Sequence, residues 1–332
     1  MKKLYLLMFS ILLLVCGCGK YTKDDVVNDL SKKVKKLSSY KVVGNLEIVN
    51  NDDVYNYDIE VSYKKDNNYK VSITNTANDH TQIILKNNDG VYLLTPSLNK
   101  SFKFQSDWPY DNSQIYLLSA LVNDIEGDKN LKFKEEKDKY ILTTKVNYPN
   151  NNNLVSQKIE LSKKLNVKKV TIYDKNNVSL MTMVYKNIDY SPTFKKDYFD
   201  LDKIMKNVSK DKSEVKGTSS LEDSIYPLAL PTGTKLVSEE KVKKDNGERI
   251  IMTFDGEKSF LLVEETMDFS DEPTIVPTYG EPFRLIDTIG VMTDNSLSWT
   301  TGGIDYYLVS DVLNQNELVE VAQSINVLPT MK

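Results

Sequence analysis

From residue 40 to about residue 190 the chain alternates apolar and polar side chains with a period of two. Tyr55, Tyr57, Ile59, Val61 and Tyr63 alternate with polar neighbours, and Tyr69, Val71 and Ile73 continue the pattern. Turn sequences separate such runs: Lys65-Asp66-Asn67-Asn68, Asn87-Asn88-Asp89-Gly90, Glu136-Lys137-Asp138-Lys139, Pro149-Asn150-Asn151-Asn152-Asn153 and Asp174-Lys175-Asn176-Asn177. Asn, Asp and Gly tolerate the positive φ of tight hairpins, so the spacing predicts an antiparallel meander. A meander of about eleven strands must curl, because strands twist, and an open barrel results.

Three segments break that period. Residues 22–38 read as a helix, with Thr22 and Asp25 as a capping box and Val26, Val27, Leu30, Val34 and Leu37 on one face. Its lysines face water or lean on an anionic membrane surface. After Trp108-Pro109-Tyr110, the residues Ile115, Leu118, Leu121 and Val122 predict a second helix. A curled sheet needs a cover on its apolar inner face, and these two helices are the plug or lid. Trp108, Tyr110 and Leu118 are the candidate cavity contacts. Residues 199–208 form a short amphipathic piece with Leu201, Ile204 and Met205.

Residues 209–225 are polar and unpatterned and read as a linker. Beyond them, residues 226–332 contain hairpin turns at Asp245-Asn246-Gly247, Asp255-Gly256 and Gly302-Gly303, and a helix over 316–325. That pattern predicts a small α+β domain. The expected division is therefore 1–17, 18–208, 209–225 and 226–332, mainly β overall.

The first seventeen residues follow neither period. Lys2 and Lys3 precede an apolar run of about a dozen residues, against roughly 20 for a membrane-spanning helix. Cys16-Gly17-Cys18 follows, which is the pattern of a lipoprotein signal peptide. Cys18 is the favoured acylation site, because the residue before it is glycine, whereas branched Val15 precedes Cys16. The expected product is an extracytoplasmic protein, lipid-anchored to the cell membrane by palmitate or a similar acyl chain. With both cysteines in the export signal, no disulfide or thiol chemistry is expected in the remainder.

Composition narrows the function. The 332-residue chain is 40% hydrophobic and 27% charged, with a formal net charge of -4. Loss of Lys2 and Lys3 makes it more acidic, which argues against nucleic acid. Arg249 and Arg284 are its only arginines, and His80, in a turn read as exposed, its only histidine. Zinc sites and nucleophile–histidine pairs need more, and phosphate loops, GxSxG and HExxH patterns do not occur. Glu264 and Glu265 point to opposite faces of one strand and cannot share a substrate. The expectation is a non-enzyme with no catalytic residues, no metal and no cofactor. The 20 tyrosines suit a groove wall or a β-rich core equally.

Leu37-Ser38-Ser39-Tyr40-Lys41-Val42-Val43-Gly44, Gly90-Val91-Tyr92-Leu93-Leu94-Thr95-Pro96 and Trp108-Pro109 followed by Leu117-Leu118-Ser119-Ala120-Leu121 occur in that order. This resembles the lipoprotein-carrier superfamily of LolA, LolB and RseB, and implies an unclosed antiparallel barrel plugged by helices. Tyr226-Pro227-Leu228-Ala229-Leu230-Pro231-Thr232-Gly233, Trp299 to Tyr306 and Glu317 to Ser324 resemble a DUF4367-like domain. The pairing is similar to the YdcC-type sporulation lipoproteins, and the first part to the germination lipoprotein GerS. The resemblance implies a membrane-tethered protein that binds an envelope protein partner in sporulation or germination. The alternative is a lipid or acyl-chain binding protein using the apolar inner face. Carriers place an arginine in that cavity, and before Arg249 this chain has none, so the shuttle cycle is not implied.

Overall fold

The computed structural model describes residues 21–50, 53–109, 112–208, 221, 223–245, 247–267, 274–285 and 287–325. Cys18, Tyr110 and most of the expected linker lie outside the described residues. The structure is mainly β, built on one twelve-stranded and one seven-stranded sheet.

Helix α1 (Lys23–Lys35) comes first among the described elements. Its capping box forms as expected: the Asp25 N–H donates to Thr22 Oγ1 at 3.2 Å, and the Thr22 N–H donates to Asp25 Oδ2 at 2.9 Å. Eleven strands follow: β1 (Ser39–Asn50), β2 (Asp53–Lys64), β3 (Asn68–Asn75), β4 (Thr81–Asn87), β5 (Gly90–Thr95), β6 (Lys100–Phe104), β7 (Lys132–Glu135), β8 (Lys139–Lys145), β9 (Ser156–Ser162), β10 (Val167–Tyr173) and β11 (Ser179–Asp189). Two runs of hairpins, β1 to β6 and β7 to β11, meet where β1 pairs with β11. The β2–β3 turn takes positive φ at Asp66 (70°) and Asn67 (62°), the conformation those residue types permit. Period two becomes burial: Tyr69, Val71 and Ile73 of β3 face inward, while their neighbours are half-exposed.

Helix α2 (Leu118–Gly127) and α1 cover the inner face. Val26, Leu30 and Val34 of α1 join Leu118, Leu121, Val122 and Ile125 of α2 in one core with the inward strand residues. Each fully buried aliphatic side chain there contributes about 1.5–3 kcal/mol. α2 starts three residues later than the apolar spacing predicts. Ser113 explains the delay: its N–H donates to the Asn147 carbonyl at 2.8 Å, and its hydroxyl accepts from the Asn147 N–H at 2.7 Å. The segment is therefore tied to the end of β8 before it can coil.

Helix α3 (Leu201–Val208) lies on the opposite face of the sheet. Ile204 and Met205 pack there on Ile83, Leu85, Tyr92 and Leu94, while Ile84 and Leu93 point into the main core. β4 and β5 are covered on both sides, which is why they read as continuous apolar runs.

The second sheet contains β12 (Lys235–Lys244), β13 (Gly247–Asp255), β14 (Phe260–Thr266), β16 (Glu281–Arg284), β17 (Ile289–Met292), β18 (Ser296–Thr301) and β19 (Ile304–Val309). Helix α4 (Gln315–Gln323) packs against it through Leu318, Val321 and Ala322. Leu221 and Ile225, at the end of the expected linker, already belong to this second core.

One strand crosses over. β15 (Thr274–Thr278) follows β14 in the chain yet pairs in parallel with β6, as the twelfth strand of the first sheet. The first sheet stays open, with β15 and β7 as its edges.

Candidate functional site

The two sheets meet over a cavity of about 410 Å³. The barrel supplies Ile48, Ile84, Ile115, Leu180 and Met181. The second sheet supplies Pro282, Phe283 and Arg284 of β16, then Leu285 and Ile289, and α4 adds Gln323. Around this apolar interior stands a rim of amides, including Asn50, Asn112, Gln114 and Asn150.

A buried amide seats the β16–β17 hairpin. Gln82 of β4, only 5% exposed, accepts from the Ile289 N–H at 2.7 Å and donates to the Ile289 carbonyl at 3.1 Å. The Thr288 hydroxyl also donates to Gln82 Oε1, at 3.2 Å. Ile289 and Val291 accordingly count with the core of the first sheet.

That hairpin carries Arg284 over the Tyr57 ring, 5.4 Å from its centroid. Tyr57 and Tyr116 have hydroxyls pushed up by burial, with the Arg284 charge offsetting part of the rise in each. Nη2 of Arg284 is buried and has no hydrogen-bond partner. Among the described residues no carboxylate lies within ion-pair distance of Arg284. Asp287 accepts from the Thr301 hydroxyl, and Asp124 from Ser113 Oγ at 2.8 Å and Gln157 Nε2 at 2.7 Å. Burial raises Asp124 to about 6 despite those two hydrogen bonds. The cavity thus holds an arginine, and it comes from the second region, since none precedes Arg249 in the chain.

Trp108 is 5% exposed and lines the cavity, at the end of an aromatic row. Tyr40, Tyr63, Tyr69 and Trp108 succeed one another with centroids 5.0, 4.8 and 5.9 Å apart. Lys86 holds the backbone there, donating to the Trp108 carbonyl at 2.6 Å. Leu118 is buried in the core at the start of α2 and does not line the cavity. The tyrosines divide between the two roles foreseen: Tyr40 and Tyr69 fill the core, while Tyr116 and Tyr148 face the cavity.

His80 is half-buried rather than exposed, 3.4 Å from Ser97 Oγ, and burial pushes its imidazole below the ordinary value. Its turn folds back beside Ser97, a contact that local sequence does not announce. Glu264 is fully buried and accepts only the Ile225 N–H, at 3.1 Å to each oxygen, and burial lifts it to about 7. Its neighbour Glu265 faces away and pairs with Arg249 and Lys244. Among the described residues no three His, Cys, Asp or Glu side chains are grouped to hold a metal, and no helix is long and apolar enough to cross a membrane.

The profile of the YdcC-like sporulation proteins matches residues 1–199. Sporulation protein YdcC of Bacillus subtilis (strain 168) is 37% identical over 330 residues, covering 98% of this chain and 97% of that one. The chain belongs to the YdcC-like sporulation protein family. Among solved structures it is similar to a chain of the Pseudomonas aeruginosa MucA/MucB complex (13% identity, 91% of this chain and 97% of that one, TM-score 0.33). It is also similar to a chain of the complex between the CwlD amidase from Clostridioides difficile and the GerS lipoprotein (21% identity, 52% and 98%, TM-score 0.24). Superpositions this loose carry neither fold nor function.

Proposed function

We propose that this YdcC-like protein is a non-catalytic, extracytoplasmic lipoprotein, acylated at Cys18, that binds an envelope protein partner during sporulation or spore germination. The role in sporulation rests on the Bacillus subtilis relative, and the tether on Lys2, Lys3 and Cys16-Gly17-Cys18. The division into residues 18–208 and a second domain from 226 accompanies this reading.

One surface carries the partner reading. β12 is an edge strand of the second sheet, and Leu236, Val237 and Val242 on it are exposed. Tyr226, Leu228 and Leu230 just before it are exposed as well, Leu228 at 72%. An edge strand with exposed apolar side chains is a surface on which a second chain adds a strand or packs a face.

A photo-crosslinker at Leu228 in sporulating cells tests it. The expected result is one discrete membrane or envelope protein in stoichiometric yield, lost when Val237 and Val242 become Asp. Repeated recovery of no discrete adduct overturns the reading. Cys18→Ala is expected to release the protein from the membrane fraction, and retention there refutes the anchor.

A further inference from the structure

The outer face of the first sheet is finished in two different ways. Over β4 and β5 it is apolar, and Ile83, Leu85, Tyr92 and Leu94 are covered by α3. Over β7 to β10 the outward lysines Lys132, Lys134, Lys139, Lys145, Lys158 and Lys169 are exposed or half-exposed. Register sets this face in two rows, Lys134–Ile141–Glu160–Lys169 and Lys132–Thr143–Lys158–Thr171, with neighbouring strands about 4.8 Å apart. Glu160 is the one carboxylate in these rows, and Lys139 at 2.7 Å and Lys158 at 3.3 Å already share it. The excess of cations is a local reversal, because acidic residues outnumber basic ones 47 to 43 in the whole chain. Like charges so arranged repel one another unless an external anion meets them.

The first described residue lies beside this face. Tyr21 packs on the Tyr140 ring of β8, centroids 5.7 Å apart, and Lys163 stands over the same ring at 4.1 Å. Tyr21 follows Cys18 by three residues, a reach of about 10 Å at full extension. With Cys18 acylated, as in the reading above, the β7 side of the sheet is held about one Debye length from the bilayer. The lysines of α1 are engaged elsewhere: Lys33 donates to the carbonyls of Lys164 and Leu165, and Lys35 pairs with Glu126.

We propose that the outer face of β7 to β10 docks on the headgroups of an anionic bilayer. The proposal takes its distance to the membrane from the Cys18 anchor and its chemistry from the lysine face alone. Flat rows of point charges spaced by threonines fit a fluid layer of headgroups, whereas protein interfaces centre on buried apolar or aromatic anchors. The second sheet lies on the other side of the barrel wall, since Ile289 and Val291 join the core of the inner face. Docking therefore leaves the exposed β12 edge free for a partner.

Flotation with lipid vesicles tests the assignment. The chain from Cys18 onward is used as Cys18→Ser, so that no acyl chain contributes, and every described contact lies at Tyr21 or beyond. The vesicles are phosphatidylcholine alone, or phosphatidylcholine and phosphatidylglycerol in equal parts. Binding to the mixed vesicles is expected, with none to phosphatidylcholine and little at about 0.5 M salt. Lys132→Gln with Lys169→Gln should weaken it about 25-fold, about fivefold for each charge. Lys235→Gln with Lys243→Gln, on β12, changes the net charge equally and should leave binding as it was. No binding to the mixed vesicles, equal binding to both kinds, or an equal loss in the two double variants each overturns the proposal. Capture by soluble poly(glycerol phosphate) without binding to vesicles overturns it as well. The readout contains neither acyl chain nor partner protein, so its failure is separable from failure of the anchor or of the edge-strand reading.

Discussion

The two sheets handle charge in opposite ways. Inside the first, the described core is aliphatic and aromatic, and Asp124 is the acid drawn toward it, held by Ser113 and Gln157. The second sheet buries Glu264 completely against one backbone N–H and sends Arg284 outward into its neighbour. The first region lines most of the cavity and brings Asp174 and Lys175 to it. The second adds Arg284 to the same cavity. One cavity is thus lined by both architectures.

Three measurements break or sharpen that contrast. Core truncation gives the largest effect. Leu46→Ala in the first core and Leu308→Ala in the second, both fully buried, should each cost about 2–5 kcal/mol in urea unfolding. Because the hairpin seam ties the sheets, each should move one common transition, and independent transitions would show that the regions unfold separately.

The pH dependence comes next. Glu264 titrates near 7 when folded against 4.5 as its ordinary value, so the folded state binds that proton more tightly. Its contribution to stability is present below pH 4.5 and is lost as pH rises toward 7, by about 3 kcal/mol at most. Asp124, raised from 3.8 to about 6, acts in the same direction over a lower window and more weakly, because it is partly exposed. Between pH 4 and 7 the urea midpoints of Glu264→Gln and Asp124→Asn should therefore gain on the wild type as pH rises. Variant profiles that run parallel to the wild type would contradict both assignments.

The seam itself is the smallest of the three. Gln82→Ala leaves the Ile289 N–H and carbonyl without their side-chain partners, which costs about 1–3 kcal/mol. It should also begin to separate the common transition into two. A loss confined to one half of the molecule, seen by hydrogen exchange, would place the clamp within a region rather than between them.

The first region was legible because its information is local. Period two along β1 to β3, turn residues at Asp66-Asn67 and a capping box at Thr22 and Asp25 each specify their own geometry. The expected eleven strands are there, numbered β1 to β11. β15 was hidden because five residues containing Pro277 do not read as a strand, and an edge position is where a missing N–H is tolerated. Arg284 was hidden for another reason: nothing in Glu281-Pro282-Phe283-Arg284 says which cavity the strand will face. The available signal was scarcity, since arginine occurs twice in a chain whose other cations are lysines. One of the two neutralises Glu265, and the other enters the cavity without a carboxylate partner among the described residues.

The parallel pairing of β15 with β6 has a consequence in time. Translation proceeds from the N-terminus, so Lys100–Phe104 is present long before Thr274–Thr278 is made to cover it. Until then the barrel carries an unpaired row of backbone donors and acceptors, the kind of edge that recruits other chains. The edge of the first sheet is therefore completed only when the last third of the chain has been made, and until then it stays open to self-association.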